Sequence, residues 1–284
     1  MITKRQYHCL ISGLPNLSFD GEKPWTSPAE FREMLAGELH PDDYAQVELV
    51  FLKEDNINLS YYLLPDEEEP QRPGVFNNTD FKEQEENFSA ILPSDDILPL
   101  YMVNVMRENL GDETKKRRLD IQNALSDGYF EHIMERGCSF LKEYTRFDYD
   151  LNNLISFIKA GRHDLNQEDF IRGMTEHAGH LAANPGKSPV KDPEFEYFDE
   201  IMSYSESRSF SDQELKFDKL RWRVIDHMIF FENFSIDSIM GYLQKLLIAD
   251  RWSELRKESG EKRLREIITA TVEEAEEKYT DINK

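Results

Sequence analysis

Apolar side chains recur at every third or fourth position through most of the chain after Asp80. This spacing places them on one face of an α-helix, whereas a half-buried strand requires alternation of apolar and polar residues. The apolar faces comprise Phe130, Ile133, Met134, Phe140, Leu141 and Tyr144; Phe195, Phe198, Ile201 and Met202; Leu220, Val224, Met228 and Phe231; Ile236, Ile239, Met240, Leu243, Leu246 and Leu247; and Leu264, Ile267, Ile268 and Val272. No strand pattern of similar strength follows Pro93, so the sequence predicts a mainly α protein.

Helix start signals divide this pattern into separate elements. Ser27 and Glu30 have the spacing of a capping box, with Pro28 at the first helical position. Pro41 opens a long helix, although the aromatic and β-branched residues that follow also fit a strand. Further helix starts are predicted at Asn166, at Asp192 with Pro193, at Ser211 with Glu214, and at Ser235.

Two segments rich in proline and glycine, residues 65–74 and 184–193, interrupt the helical pattern. They divide the chain into an N-terminal helical segment (1–93, with the loop 65–74), a central helical bundle (94–184) and a C-terminal helical bundle (185–284). The expected architecture is an elongated assembly of antiparallel helical bundles. Its N-terminal part is irregular or contains a strand, because Gln6–Pro15 fits both a short strand and a helical turn.

The segment Phe147–Arg162 is predicted to be one amphipathic helix with unusually placed polar residues. Its apolar face comprises Leu151, Leu154, Ile155 and Ile158. Asp148 or Asp150 would cap the N-terminus, and Lys159 and Arg162 would complement the negative end of the helix dipole. An ordinary buried helix needs only such an apolar face, so the polar residues of the run Asp-x-x-Asn-Leu at residues 150–154 are an additional feature.

Composition restricts the partners and the compartment. The 284 residues include 56 acids and 34 bases, which gives a formal net charge of −22. Such a field repels phosphate backbones and anionic lipid, so nucleic acid and direct membrane binding are disfavoured, whereas a basic protein partner is compatible. The two cysteines, Cys9 and Cys138, lie far apart and fit buried thiols in a reducing compartment. Neither a signal peptide nor an apolar run of about 20 residues is found, and the predicted location is the cytoplasm.

Histidine and acid spacing gives one candidate metal site. His132, His163 and Asp164 follow the order found in all-helical metal-dependent phosphohydrolases, which use a His-Asp dipeptide. His177 and His180, three residues apart, could share a helix face, but a core or surface role explains them better. Nucleotide-binding glycine loops and nucleophile motifs are missing. The sequence therefore predicts no catalytic residue, no resident metal and no cofactor.

Asp250 lies four residues after Leu246, on the apolar side of its predicted helix. A buried carboxylate needs a cation, and Lys159, Arg162 or Arg251 would provide one. A boundary residue in contact with solvent is the better interpretation.

Two segments resemble the C-type subunit family of archaeal and bacterial V/A-type ATPases, whose eukaryotic relatives are the d-type subunits. In that family a helix carries an acid, then Asn-Leu or Asn-Ile, then basic residues, which correspond here to Asp150, Asn153, Leu154, Lys159 and Arg162. A later aliphatic helix of the family corresponds to Tyr242-Leu243, Lys245 and Asp250-Arg251. The start at Tyr7–Pro24 also resembles uncharacterised Bacteroides-type proteins encoded with V-type ATPase subunits.

The resemblance implies a non-catalytic subunit that couples the central stalk to the membrane rotor ring for ion transport. Its partners would be these V/A-type ATPase subunits, and it would lie in the cytoplasm, peripheral to the inner membrane through the complex. Asp150, Asn153, Lys159 and Arg162 would then fix the packing of one bundle on the next and meet Asp250 and Arg251. Family members are longer, with three similar bundles, and Lys159-Ala-Gly-Arg162 matches their basic ending only loosely. The alternatives are the metal-dependent phosphohydrolase and a generic helical adaptor.

Overall fold

The computed structural model describes residues 5–19, 23–64, 71–90, 95–110, 117–186, 188–207 and 209–256. Within these ranges the structure is helical and contains no strand, which confirms the prediction of a mainly α protein. The helices are α1 (His8–Gly13), α2 (Pro28–Glu38), α3 (Pro41–Leu63), α4 (Asn78–Phe88), α5 (Leu100–Asn109), α6 (Arg118–Arg136), α7 (Ser139–Arg162), α8 (Glu176–Ala183), α9 (Phe198–Ser205), α10 (Phe210–Ile229) and α11 (236–256), with a 3₁₀ turn at Gln167–Phe170.

The predicted starts of α2 and α3 are confirmed. Ser27 Oγ accepts the Glu30 N–H at 3.3 Å, and the Glu30 carboxylate accepts the Ser27 N–H at 2.9 Å. Pro41 is the first residue of α3, which continues for 23 residues, so the strand alternative is wrong there. It is also wrong at Gln6–Pro15, where residues 8–13 form α1.

The helix predicted from Phe147 begins eight residues earlier, at Ser139. Asp148 and Asp150 therefore lie inside α7 and cannot cap it, which corrects the predicted capping role. Another helix supplies the cap instead, because the Phe140 N–H donates to Asp237 Oδ1 of α11 at 2.9 Å. A cap from a distant part of the chain leaves no local sequence signature.

Three other predicted helix starts are displaced. After Asn166 the chain makes only a 3₁₀ turn and then an extended stretch, and α8 is capped by Thr175, which accepts the Ala178 N–H at 3.0 Å. Asp192 accepts the Glu194 N–H in a turn, and α9 begins later, at Phe198. The cap of α10 is Ser209 rather than Ser211. The predicted last helix, with Leu264, Ile267, Ile268 and Val272, lies outside the described residues.

The buried apolar side chains form one continuous core in which α3 and α7 are central. Helix α3 packs against α2, α4, α5 and α6, and α7 packs against α6, α8, α9, α10 and the 3₁₀ turn. These contacts join residues on both sides of the boundaries predicted at 93/94 and 184/185. The three-part division and the elongated shape stay predictions.

The two cysteines differ from the expectation of buried thiols. Cys9 is exposed on the short helix α1, so that expectation is wrong for it. Cys138 is partly buried beside the start of α7, and burial raises the pKa of its thiol to about 12.

No helix in the part of the chain that the structure describes is both long and apolar enough to span a bilayer.

Candidate functional site

Asn153, singled out by the sequence, binds the backbone of a loop residue through both ends of its amide. Its side chain is buried in the middle of α7. Asn153 Oδ1 accepts the Arg172 N–H at 2.8 Å, and its Nδ2 donates to the Arg172 carbonyl at 2.8 Å. The backbone N–H and C=O of Arg172 thus both have hydrogen-bond partners, and the segment after the 3₁₀ turn is held against α7.

A second asparagine makes the same pair of bonds elsewhere in the chain. Asn58 of α3 accepts the Arg72 N–H at 2.9 Å and donates to the Arg72 carbonyl at 3.0 Å. Both asparagines belong to the same run, Asp-x-x-Asn-Leu, at residues 55–59 and 150–154. We call these arrangements the α3 clamp and the α7 clamp. The sequence prediction missed the α3 clamp, although comparing the chain with itself would have found its run.

The aspartate that opens each run also binds the loop that follows its helix. Asp55 is fully buried and accepts the Val75 and Phe76 N–H groups at 2.8 and 3.0 Å. Asp150 accepts the hydroxyl of Thr175, the residue that caps α8. Burial raises the pKa of each carboxyl to about 6. Each clamp therefore positions the start of the next helix, α4 or α8.

A chain of ion pairs, buried at its centre and exposed at its two end cations, links four helices. Asp148 of α7 accepts Lys53 Nζ of α3 at 3.2 Å and Arg221 Nε of α10 at 2.8 Å. Arg221 also donates to Asp218 at 3.0 Å, and Asp218 accepts Arg251 of α11. Burial alone would raise the pKa of Asp148, but Lys53 and Arg221 lower it well below its ordinary value. We call this arrangement the ion-pair chain.

The two basic residues predicted at the end of α7 fix the helices that follow. Arg162 Nη1 donates to the carbonyl of Ser205, the last residue of α9, at 3.0 Å. Lys159 Nζ lies 5.1 Å from the ring centre of Phe210, the first residue of α10. Both contacts are exposed at their edges, and they join α7 to residues beyond the predicted boundary at 184/185.

Among the contacts of the residues that the structure describes, the expected meeting of Asp250 and Arg251 with these α7 residues is not found. Arg251 binds Asp218 of α10, because that buried carboxylate lies between it and Arg221 in the ion-pair chain. Trp252 Nε1 also donates to Asp218, at 2.7 Å. Asp250 is a boundary residue, as expected, and partial burial raises its pKa.

The histidines do not assemble a metal centre in the described ranges. His132 packs against the Tyr101 ring at 5.5 Å, and burial lowers its pKa, while His163 is the C-cap of α7. His177 Nδ1 binds the Asp192 carboxylate. Among the residues that the structure describes, no three His, Cys, Asp or Glu side chains are grouped as metal binding requires, so His132, His163 and Asp164 form no such group.

A cavity of about 440 Å³ opens beside the ion-pair chain, between α3, α6 and α7. Lys53 and Asp148 line one part of it, and Asn153 and Arg172 of the α7 clamp line another. The clamp and the ion-pair chain thus share one polar wall.

The fold and these sites define a class of protein: a helical body whose core helices are joined by buried polar side chains. The chain belongs to the family described as protein of unknown function (DUF2764), whose model matches residues 4–275. No curated protein and no solved structure matches the chain.

Proposed function

We propose that this protein is a non-catalytic component of a V/A-type ATPase, similar to the C-type subunits, that couples the central stalk to the membrane rotor ring. The observation that carries the proposal is the repeated clamp. The α3 and α7 clamps use the same Asp-x-x-Asn-Leu run and make the same two bonds to the backbone of an arginine. The resemblance implies a body of similar helical bundles, and a repeated local structure supports that construction.

The polar links inside the body support a role in transmitting torque. A coupling element must hold its helices in fixed orientations under load, and apolar packing alone is poorly directional. The ion-pair chain runs from Lys53 to Arg251 and fixes α3, α7, α10 and α11 through groups of defined geometry. Ion pairs whose carboxylates are buried, as those of Asp148 and Asp218 are, give little net stability, but breaking one is costly.

Charge supports a basic partner. The chain carries a formal net charge of −22, and a complementary basic surface on a central stalk would speed encounter and set orientation. The protein would then be cytoplasmic and peripheral to the inner membrane, held there through the ATPase complex.

The test is co-purification from native membranes. The full chain carries an affinity tag, and bound proteins are identified by mass spectrometry after gentle solubilisation. The proposal expects catalytic, stalk and ring subunits of one ATPase, with an untagged strain as background control. Recovery of no ATPase subunit, or of an unrelated partner only, contradicts the proposal; the second result would favour a helical adaptor.

A matched pair of variants tests whether the clamps matter to this assembly. The double substitution Asn58→Ala and Asn153→Ala removes both clamps and should lower the yield of ATPase subunits. Asn109→Ala is the control, since within the described ranges the Asn109 side chain donates only to the Val105 carbonyl of its own helix. Equal yields from a folded double variant and the control would contradict the proposed role of the clamps.

A further inference from the structure

The cavity between α3, α6 and α7 has properties that packing does not require. Its volume of about 440 Å³ falls in the range of small-molecule sites, roughly 300 to 1,000 Å³. Its wall is also rich in polar groups from three helices and from the segment after the 3₁₀ turn.

Cations outnumber carboxylates on this wall. Lys53 and Arg172 line the cavity, and Asp148 is the single carboxylate among the described lining residues. The Asp148 charge is already met by the buried Arg221 guanidinium. The Lys53 side chain keeps 39% of its surface exposed, so its ammonium retains donors beyond the one that binds Asp148. Arg172 is paired with Asp127, which is not part of the lining, so the excess positive charge of the wall is that of Lys53, in a chain of net charge −22.

Arg172 presents a buried donor without an acceptor. Its Nη1 pairs with Asp127 at 3.3 Å, and its Nη2 donates to the Asp169 carbonyl. Its Nε is buried and has no hydrogen-bond partner in the part of the chain that the structure describes. A buried N–H of this kind costs free energy until an acceptor reaches it.

Neutral groups on the same wall complete a site for an anion with an apolar body. The amide oxygen of Asn152 accepts Arg221 Nη2 at 2.8 Å, which leaves its NH₂ group to donate. The Ser156 hydroxyl makes no hydrogen bond within the described ranges. Tyr129 and Phe170 supply aromatic surface, against which a ring packs well.

We propose that this cavity binds a small organic anion. Its carboxylate or phosphate group would be held by Lys53 and Arg172, and its ring or apolar part would lie against Tyr129 and Phe170. This binding activity is independent of the ATPase proposal, because neither the clamps nor the ion-pair chain requires a ligand.

The first test is calorimetric titration of the full chain at constant ionic strength. The probes are phenyl phosphate, benzoate and the neutral benzamide. We expect saturable binding of at least one anion with one site per chain, and no comparable binding of benzamide. The preferred anion distinguishes a phosphate ligand from a carboxylate ligand. No saturable binding of either anion, or equal binding of benzamide, would overturn the proposal.

Variants locate the site. Arg172→Gln removes the guanidinium but keeps the α7 clamp, since Asn153 binds only the Arg172 backbone. The Arg172→Gln variant should raise the Kd for the bound anion at least about tenfold. Ser156→Phe keeps both cations and fills the cavity, so it should weaken binding similarly. Arg223→Gln, which removes an arginine paired with Glu200 outside the cavity, should leave the Kd unchanged. Unchanged binding in Arg172→Gln and Ser156→Phe would overturn the assignment.

A footprinting measurement decides the matter if these variants do not fold. Acetylation of the wild-type chain is followed by peptide mass spectrometry with and without the bound anion. Lys53 should be protected, whereas the exposed Lys82 should react equally in both samples. Equal reactivity of Lys53 in both samples would place the anion elsewhere and overturn the proposal.

Discussion

At the scale of single residues, the clamps depend on the absence of a side chain as much as on the presence of one. A Cβ atom at Gly74 would lie 1.8 Å from Asp55 Oδ1, a distance that no structure tolerates. Asp55 holds two backbone N–H groups there, and the Gly74 carbonyl accepts Arg32 Nη1 at 2.7 Å. The close approach of the loop to α3 therefore requires glycine at position 74.

Gly74→Ala should lower the free energy of unfolding by about 2 to 4 kcal/mol, because Asp55 must leave the position from which it accepts the Val75 and Phe76 N–H groups. Urea unfolding measures the change. Gly179→Ala is the matched control: it lies inside α8 with open space around the added methyl group, and helix propensity favours alanine by about 0.5 to 1 kcal/mol. Equal stability of the two variants would contradict the clamp geometry.

At the scale of elements, α7 carries two aspartates whose pKa values are shifted in opposite directions by their surroundings. Asp148 faces Lys53 and Arg221, which lower its pKa well below the ordinary value. Asp150 faces Thr175 and is mainly desolvated, which raises its pKa to about 6. The two residues are separated by one position, so they point to different sides of the helix.

The two acids should give opposite pH dependences of stability. Unfolded Asp titrates near pH 4. The raised pKa of Asp150 makes the folded chain bind more protons between about pH 4 and 6, so its contribution to stability falls as pH rises through that window. The lowered pKa of Asp148 gives a contribution that is complete above about pH 4 and is lost at lower pH.

Two isosteric variants separate these effects. Asp150→Asn should be more stable than wild type at pH 7, by about 1 to 2 kcal/mol, and should approach wild type at pH 4.5. Asp148→Asn leaves Lys53 without its counter-charge and Arg221 with Asp218 alone, and it should lose about 3 kcal/mol at pH 7. Urea unfolding across pH 4.5 to 7 measures both. If both variants changed the free energy of unfolding in the same direction at pH 7, the causes given for the two pKa shifts would be contradicted.

The sequence predicted the helices better than the contacts between them. The capping box at Ser27 and the proline at the start of α3 are local signals, and both were predicted. The start of α7 was not, because its cap is Asp237, 97 residues from Phe140. For the same reason the partner of Arg251 was mistaken: the buried carboxylate of Asp218 is specified by packing rather than by spacing. The cavity was not predicted at all, since α3, α6 and α7 each contribute only part of its wall.

At the scale of the whole molecule, the same pair of asparagine–backbone hydrogen bonds occurs in both clamps. Each joins a long core helix to the loop that leads into a shorter helix, α4 after α3 and α8 after α7. The two clamps should contribute similarly to stability, because each asparagine satisfies one backbone N–H and one backbone C=O.

Asn58→Ala and Asn153→Ala should therefore destabilise the protein to a similar extent, about 2 to 3 kcal/mol each. Their effects should add in the double variant, since separate sites without shared partners usually do. Chemical denaturation of the three variants checks this. If only one of the two single variants lost stability, the clamps would share their geometry but not their contribution to the free energy of unfolding.

The ion-pair chain has a consequence for biosynthesis. Lys53 and Asp148 leave the ribosome well before Arg221 and Arg251, which neutralise the interior carboxylates. The Tyr7 N–H likewise finds its acceptor, the Phe234 carbonyl, only after α10 has been synthesised. A nascent chain stopped before α10 holds Asp148 with one cation rather than two. The native core is therefore completed only after α10 and α11 have been synthesised, and α3 and α7 must wait for them.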